Sequence, residues 1–328
     1  MTGAPAGRRA VTPVTGAPAQ TANARTRNIW RRVGYRLMPG DTFSYVLHLR
    51  PAEWPIMAAH TLLGTILAVG LVPFLHHARW GAAALALVLW VVCLNGGTLA
   101  LNSVFDQDQG DIGYLRAPPA PPAHLLAVSF GLLLVGQALA FLLPGAFAGV
   151  YAVCLVMSVA YSVPPFRFKA VAGVDWLINM WGFGTFTPYA GWAATGRPLD
   201  VVHGLAMLAF CPLFASLYPL TQIYQFEEDE ERGDRTLALI LGLKWSLVVA
   251  IVTMALAFAI FFVAAYLGYA SLRQWAGLLI ALAAWLRVLV PWYRRRDQMT
   301  PAQHQQGFYA ALTAWAITDV AVLIAFAF

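Results

Sequence analysis

Long apolar stretches alternate with short polar ones over most of the chain. After Arg50 we identify nine apolar segments. Each is close to the ~20 residues that a helix needs to cross about 30 Å of hydrocarbon. They are residues 53–76, 80–104, 122–142, 146–162, 172–194, 200–224, 237–267, 274–293 and 306–328. The seventh is longer than a bilayer requires, so we expect it to tilt or to extend beyond the membrane. The pattern predicts a bundle of nine transmembrane helices.

The composition agrees with this pattern. Of 328 residues, 60% are hydrophobic and only 11% are charged, which is unlike an ordinary soluble domain. The three cysteines, Cys93, Cys154 and Cys211, lie inside apolar segments and show no CxxC or Cys/His spacing. We interpret them as small buried hydrophobic residues rather than disulfides or metal ligands. The fold class predicted is an all-α integral membrane protein.

The first 28 residues differ from the rest of the chain. They contain no apolar run of the kind found in a secretory signal peptide. Their acid-poor, Arg-containing composition also suits an organellar transit peptide, but a disordered cytoplasmic tail is the simpler interpretation. We therefore divide the chain into a tail, residues 1–28, and one membrane domain, residues 29–328.

The basic residues predict an orientation in the membrane. With a cytoplasmic amino terminus, the tail and the loops after the second, fourth, sixth and eighth helices, with their flanking helix ends, hold 18 of the 21 Lys and Arg. The opposite face keeps only Arg79, Arg197 and Arg273. This asymmetry is what the positive-inside rule expects. Nineteen arginines against two lysines, with abundant Ala, Gly and Pro, favour a GC-rich bacterial genome, so we expect the bacterial inner membrane.

The acidic residues are concentrated in two loops of the predicted cytoplasmic face. Nine of the fifteen Asp and Glu residues lie there. The first loop holds Asp106, Asp108 and Asp111, and the second holds Glu227, Glu228, Asp229, Glu230, Glu231 and Asp234. A carboxylate near lipid is costly unless it has a partner or lines an aqueous cavity, so two acidic loops on one face indicate a shared cation site. A solvated charged loop is the alternative for the second cluster.

The first acidic loop has the spacing of a metal site. If the second helix continues through it, Asn102 and Asp106 are i, i+4 neighbours and face the same way. Gly110 can end the helix in a left-handed cap, which allows Asp111 to turn back towards the same point. Asn102, Asp106 and either Asp108 or Asp111 would then offer oxygens to one hard cation. Mg²⁺ is the natural candidate because it combines a few carboxylates with water and phosphate oxygens.

The second acidic loop repeats this spacing. Gln225 and Asp229 are i, i+4 neighbours, with Glu228 beside Asp229. The two oxygen-rich helix ends therefore suit two Mg²⁺ ions.

A basic segment, "YSVPPFRFK" at residues 161–169, lies between the two acidic loops and on the same predicted face. Pro164 and Pro165 end the fourth helix, and if the chain is extended afterwards, Arg167 and Lys169 project to one side. A juxtamembrane loop that meets lipid headgroups is the alternative. Together with metal ions, these cations would complete a site for a diphosphate, and the apolar bundle would bury the hydrocarbon tail of a lipid diphosphate.

Three stretches, "NSVFDQDQGD", "YSVPPFRFK" and "QFEEDEERGDRTLALILG", resemble in order and position the UbiA superfamily of intramembrane prenyltransferases. The resemblance covers about residues 40–328. The first motif of the family, Asn-Asp-x-x-Asp-x-x-x-Asp, maps onto Asn102 and Asp106, whereas Ser103 and Gly110 depart from it. Asp111 or Asp108 must therefore supply the missing acid.

The second family motif is Asp-x-x-x-Asp followed by Gly and Thr-Leu. It maps onto Asp229, Gly233, Thr236 and Leu237, with Gln225 in place of the leading Asp. This change keeps an oxygen ligand but loses a charge, for which Glu228 is the candidate replacement.

The resemblance implies Mg²⁺-dependent transfer of a prenyl group from an isoprenyl diphosphate to an aromatic or other lipophilic acceptor, in contact with membrane lipid and with no nucleic acid partner. The implied catalytic residues are Lys169, Arg167, Asp106 and Asp229. The substrate-binding set is Asn102, Tyr161, Lys169, Arg167, Asn179, Gln222 and Arg235. For Asn179 and Gln222, helix–helix hydrogen bonding is the alternative. A stretch that often reads "RPIPSG" in the family is here "LRAPPAPP", residues 115–122, which leaves the acceptor open.

A prenyl cation also needs a water-free pocket and aromatic faces. The candidates are Tyr161, Trp176, Trp181, Phe183, Tyr189, Tyr218 and Tyr224, and ordinary packing is the alternative for most of them. Two other functions stay open at this point. A terpene cyclase of the same family would ionise the diphosphate without a second substrate. A transporter would carry charges near the bilayer midplane, where Asp319 is the lone candidate.

Overall fold

The fold comes from a computed structural model, which describes residues 29–77, 80–106, 115–226, 230 and 236–328. These residues form helices and turns without a β-strand, so the prediction of an all-α protein is confirmed. The predicted tail, residues 1–28, lies outside the described residues.

The helices follow the apolar segments. In chain order they are α1 (Ile29–Leu37), α2 (Thr42–His48), α3 (Trp54–Val69), α4 (Leu71–His77), α5 (Trp80–Asp106), α6 (Leu125–Ala140), α7 (Gly145–Ser162), α8 (residues 174–193), α9 (Val201–Gln222), α10 (Leu237–Leu267), α11 (Leu272–Arg295) and α12 (Pro301–Phe326). Six of them, α5, α7, α9, α10, α11 and α12, are long and apolar enough to cross a membrane. The helices α3 and α6 are apolar but shorter, so the number of nine crossings stays a prediction.

Two predicted segments contain a break at a glycine. The segment predicted at residues 53–76 is two helices, because Gly70 has a left-handed φ of 84° and ends α3. The over-long seventh segment contains Gly242, whose φ of 69° separates the first turn of α10 from the rest. Only glycine adopts such angles at little cost, so both breaks are encoded locally.

Two helices contain π-helical turns that the sequence pattern does not reveal. Val88–Gly96 forms one within α5, and Met180–Phe186 forms the other within α8. A π turn accommodates an extra residue and rotates the side chains that follow it, and such turns are frequent at functional sites. Both segments contribute residues to the cavity described below.

A close glycine contact holds α3 against α8. A Cβ added to Gly64 would lie 1.7 Å from the Pro188 carbonyl oxygen, and one added to Gly191 would lie 1.8 Å from that of Thr61. The hydroxyl of Thr65 donates a hydrogen bond of 3.0 Å to the Gly191 carbonyl at the same place. Small residues allow such an approach of two backbones within a membrane bundle. The contact fixes the position of the first apolar helix beside the cavity wall.

The short helices α1 and α2 pack on the loop that follows α5. Arg31 in α1 is buried and donates hydrogen bonds to the carbonyl oxygens of Ala117, at 2.8 Å, and Arg116, at 2.5 Å. After α2, Leu49 lies against α5, where a Cβ added to Gly96 would be 3.4 Å from the Leu49 Cβ. The chain therefore enters the bundle at the level of Gly96 before α3 begins.

Candidate active site

A mainly apolar cavity of about 280 Å³ lies between α5, α7, α8 and α9 and is also lined by Arg50 and Glu53, which precede α3. One side of α5 supplies Trp90, Leu94, Thr98 and Asn102, spaced four residues apart, as a continuous stripe. The last of these residues connects the cavity to a cluster of charged side chains.

In this cluster, two oxygen-bearing side chains meet the same ammonium group. Lys169 is buried, with 8% of its surface exposed, and its Nζ contacts Oδ1 of Asp106. The same Nζ donates a hydrogen bond of 3.1 Å to Oδ1 of Asn102. A second cation, Nη2 of Arg167, lies 3.7 Å from the same Asp106 oxygen. Two helix-borne oxygens and two cations thus converge where α5 ends.

The backbone that carries the cations is not the extended chain predicted from the sequence. Arg167 has a left-handed φ of 39°, and Phe168–Ala170 forms a 3₁₀ turn. The prediction of alternating side chains on an extended segment is therefore wrong for these residues. The compact turn nevertheless brings both cations to Asp106 because it folds the chain back against the end of α5.

The chemistry of this cluster fits Mg²⁺. Since the Oδ1 atoms of Asn102 and Asp106 both reach one ammonium, they can equally reach one cation, and both are hard oxygen donors. The parts of the chain that the structure describes contain no group of three His, Cys, Asp or Glu residues placed for a metal. Of the other predicted ligands, Gln225 lies in the 3₁₀ turn Ile223–Gln225 that extends α9. Asp108, Asp111, Glu228 and Asp229 lie outside the described residues, as does Arg235.

Gln222 lies in a hydrogen-bond network that joins three helices. Its Nε2 donates to Oδ2 of Asp175 at 3.2 Å, and its Oε1 accepts from the backbone N–H of Ala238 at 3.3 Å. Asp175, fully buried in α8, also accepts from the backbone N–H of Gly173 at 2.9 Å. Both ends of the Gln222 amide are thus used within the protein, and Gln222 is not among the residues that line the cavity. These contacts favour helix–helix hydrogen bonding for Gln222.

Tyr161 and Asn179 both line the cavity, as a substrate-binding role requires. The hydroxyl of Tyr161 is 3.1 Å from that of Tyr218, and Nδ2 of Asn179 donates to the backbone carbonyl of Asp175 at 2.8 Å. Both residues therefore belong to the polar part of the cavity wall.

Three of the seven candidate aromatics, Tyr161, Phe183 and Tyr218, line the cavity. Trp176, Trp181, Tyr189 and Tyr224 are not among its lining residues. The structure adds Trp90 and Phe214, and Phe214 stacks on Phe183 with ring centroids 5.2 Å apart. The four-residue spacing of Phe214 with Tyr218 is the sequence signal for Phe214, whereas Trp90 lies twelve residues before Asn102, with a π turn between them.

Arg50 and Asn95 also line the cavity, and both are buried. In the sequence, Arg50 only marks the position after which the apolar segments begin. An arginine before an apolar segment is typical of a membrane boundary, so its sequence position alone does not indicate a site.

Asp319 has a partner inside the bundle. Its Oδ1 is 3.1 Å from Nδ1 of His60, and Nε2 of His60 is 3.3 Å from the carbonyl oxygen of Gly184. The pair joins α3, α8 and α12 outside the cavity lining.

Comparison with known proteins places this geometry in a family. A model of the UbiA prenyltransferase family matches residues 54–315. A search of curated proteins finds no match. The fold is similar to that of a UbiA homologue from Archaeoglobus fulgidus bound to DMAPP and Mg²⁺, with a TM-score of 0.65, 18% identity, and coverage of 86% of this chain and 99% of that one.

Two further structures show the same fold. The Archaeoglobus fulgidus homologue bound to GPP and Mg²⁺ matches with a TM-score of 0.60, 18% identity, and coverage of 86% of this chain and 99% of that one. A structure of digeranylgeranylglyceryl phosphate synthase matches with a TM-score of 0.65, 13% identity, and coverage of 86% and 97%. Because the family model spans most of the chain, and because six helices are long and apolar enough to cross a bilayer, this protein is an integral membrane member of the UbiA prenyltransferase family.

Proposed function

We propose that the protein transfers a prenyl group from an isoprenyl diphosphate to a lipophilic acceptor in a Mg²⁺-dependent reaction that releases diphosphate. The observation that carries this proposal is the convergence of Lys169 and Arg167 on Asn102 and Asp106 beside a mainly apolar cavity. The similar fold of homologues that bind DMAPP or GPP together with Mg²⁺ supports it.

The charged cluster can exchange its internal ion pair for a bound diphosphate. Asn102 and Asp106 would hold Mg²⁺, with Asp229, Gln225 and Glu228 on the second loop and Asp111 or Asp108 on the first. Bound Mg²⁺ supplies Lewis-acid neutralisation of the diphosphate. Lys169 and Arg167, released from Asp106, would donate charge-assisted hydrogen bonds to the phosphate oxygens. Because Lys169 is buried, solvent screens its charge little.

The cavity would then stabilise the prenyl cation and keep water away from it until the acceptor reacts. The allylic C–O bond breaks, its electron pair leaves with the diphosphate, and a carbon or oxygen of the acceptor captures the cation and loses a proton. The stacked rings of Phe183 and Phe214, with Tyr218, present aromatic faces that stabilise a cation and exclude water. Tyr161 and Asn179 would position the substrates at the polar side, whereas Gln222 would act by holding α9 and α10 together.

The same arrangement suggests where the reaction occurs. Asp106 ends α5, whereas Lys169 and Gln225 lie in the turns that follow α7 and α9. These three helices are alternate crossings in the predicted topology, so their ends share one face. The basic asymmetry of the chain makes this face cytoplasmic, with a cytoplasmic amino terminus and the bacterial inner membrane as the location.

The test is to replace Asp106 with Asn in purified protein and to follow Mg²⁺-dependent diphosphate release from GPP, with and without an extract of lipophilic acceptors. Asp106→Asn keeps the size of the side chain but removes charge that Mg²⁺ needs, so turnover should fall by on the order of 10²-fold or more. High Mg²⁺ or Mn²⁺ should partly restore it. The control is Asp297→Asn, since Asp297 is exposed and pairs with Arg296.

Parental, Mg²⁺-dependent turnover of the Asp106→Asn variant would exclude this proposal. Product mass, measured with and without the acceptor extract, separates transfer from cyclisation, because a cyclase product forms without the extract.

A further inference from the structure

His60 is a buried histidine that lies outside the cavity lining, and both of its ring nitrogens have partners. Its Nδ1 is 3.1 Å from Oδ1 of Asp319 in α12, and its Nε2 is 3.3 Å from the carbonyl oxygen of Gly184 in α8. Ionisable residues inside a membrane bundle are costly and commonly mark a function. The groups that this histidine contacts indicate which function it serves.

The first contact is with the backbone of the π turn in α8. Gly184 directly follows Phe183, whose ring lines the cavity and stacks on Phe214. A Cβ added to Gly184 would lie 2.4 Å from the carbonyl oxygen of Phe210, so the turn also packs closely on α9. A π turn is a local departure from the α-helix, and a side-chain contact to one of its carbonyls helps to fix where it occurs. His60 therefore holds the backbone beside Phe183.

The second contact leads to the other ring of the stacked pair. The ring of His60 packs edge-on against Phe210, with centroids 4.7 Å apart, and against Trp315, with centroids 5.1 Å apart. Trp315 in turn packs edge-on against Phe214 at 5.7 Å. His60 thus touches both supports of the stacked pair: the backbone beside Phe183 and the tryptophan beside Phe214.

We propose that His60, anchored by Asp319, is a positioning residue that sets the placement of Phe183 against Phe214 and thereby limits capture of the prenyl cation by water. The inference rests on the proposed function, in which these rings face the cation. Once the allylic C–O bond has broken and its electron pair has left with the diphosphate, a water molecule that reaches the cation forms a new C–O bond and releases a proton. The product is a prenyl alcohol, and closely packed rings exclude this water.

The first measurement reports on the rings and requires no turnover. para-Fluorophenylalanine is introduced in place of Phe183 in the detergent-solubilised protein, and its ¹⁹F NMR resonance is recorded. His60→Leu removes both polar contacts and should move this resonance by more than its linewidth. His60→Gln keeps an amide donor for the Gly184 carbonyl and should leave the resonance near its parental position. Asp319→Leu removes only the anchor, so it should move the resonance in the same direction by less, and it tests the inference even if His60→Leu does not fold.

His203 provides the matched control because it forms the same type of unit elsewhere. Its Nδ1 is 2.7 Å from Oδ2 of Asp200, and its Nε2 is 3.1 Å from the carbonyl oxygen of Phe326. None of these residues is in the cavity lining. His203→Leu should therefore leave the ¹⁹F resonance at its parental position.

The second measurement is the amount of prenyl alcohol formed per diphosphate released from GPP, with Mg²⁺ and the extract of lipophilic acceptors. His60→Leu should raise this ratio by about 2- to 10-fold, the factor that corresponds to one hydrogen bond. His60→Gln and His203→Leu should keep the ratio near parental. A merely structural role would lower the total rate or the unfolding temperature without changing the ratio.

A ¹⁹F resonance that is the same in the parent, His60→Leu and Asp319→Leu would overturn the inference, as would an equal shift in His203→Leu. A parental alcohol ratio in His60→Leu, or a His60→Gln variant that behaves like His60→Leu, would also overturn it. Failure of the proposed function looks different. The parent would then release no diphosphate from GPP with Mg²⁺, while the ¹⁹F difference between His60→Leu and His203→Leu would remain.

Discussion

Lys169 offers the most direct test of the charged cluster, because the chain contains only one other lysine, Lys244. Lys169→Met keeps the length of the side chain and removes its charge. Asp106 then retains Arg167, whose Nη2 is 3.7 Å from the carboxylate, so we expect the protein to fold. Lys244→Met is the control, since Lys244 is exposed and its Nζ lies 5.5 Å from the ring centroid of Trp245.

The magnitude follows from the burial of the two cations. Lys169 is 8% exposed, whereas the Arg167 side chain is 36% exposed, so solvent screens Arg167 more and it cannot replace the lost charge. Losing one fixed charge that stabilises a leaving group costs about 3–4 kcal/mol of barrier, or roughly 10²- to 10³-fold in kcat. The rate of diphosphate release from GPP should fall by this factor in Lys169→Met and stay near parental in Lys244→Met.

Amine labelling provides a second measurement that does not depend on turnover. In the Lys244→Met protein, Lys169 is the remaining lysine, so mass spectrometry can follow its modification by an amine-reactive reagent. GPP with Mg²⁺ should slow this modification because the diphosphate covers the ammonium. Diphosphate release by Lys169→Met at the parental rate, with labelling of Lys169 that GPP and Mg²⁺ do not slow, would refute a role of Lys169 in binding the diphosphate.

Two further predictions concern stability. Burial, together with the charge of Arg50, lowers the pKa of His48 from 6.5 to about 4, so His48 is neutral in the folded protein at pH 7. Because the pKa of His48 is lower in the folded state than in the unfolded state, its contribution to stability is complete above about pH 6.5 and decreases as the pH falls towards 4. The loss at pH 5 is about 2 kcal/mol. Unfolding temperatures at pH 7 and pH 5 measure this loss, and His48→Leu should reduce it. Gly191→Ala should destabilise the protein by about 2 kcal/mol or more, since the added Cβ would lie 1.8 Å from the Thr61 carbonyl oxygen. In the control Gly149→Ala, nothing lies within 4 Å of the added Cβ, so the unfolding temperature should not fall and should rise slightly, because Ala favours the helix over Gly.

The pattern of apolar segments determines the fold class and the approximate helix lengths, because a lipid bilayer requires helices that are apolar over its thickness. A helix that crosses hydrocarbon must satisfy its backbone internally and present apolar side chains, so segment lengths and the all-α class can be read from the sequence. The convergence of the basic segment on the first acidic loop could also be anticipated, since unpaired charge near lipid is costly. Asn102 and Asp106 were predicted as ligands of one cation from their spacing, and Lys169 was predicted to bind a diphosphate. The structure brings these three side chains into contact.

The tertiary structure alone decided which residues share the cavity. The π turns Val88–Gly96 and Met180–Phe186 alter the helical register, and no apolar pattern records them because every side of these helices is apolar. The 3₁₀ turn at Phe168–Ala170 replaced the expected extended chain, and within it Lys169 contacts Asn102 and Asp106. The position of Arg50 also could not be predicted from the sequence, because it precedes an apolar segment as a membrane-boundary residue does. In the structure, Leu49 contacts Gly96, and Arg50 lines the cavity together with Asn95.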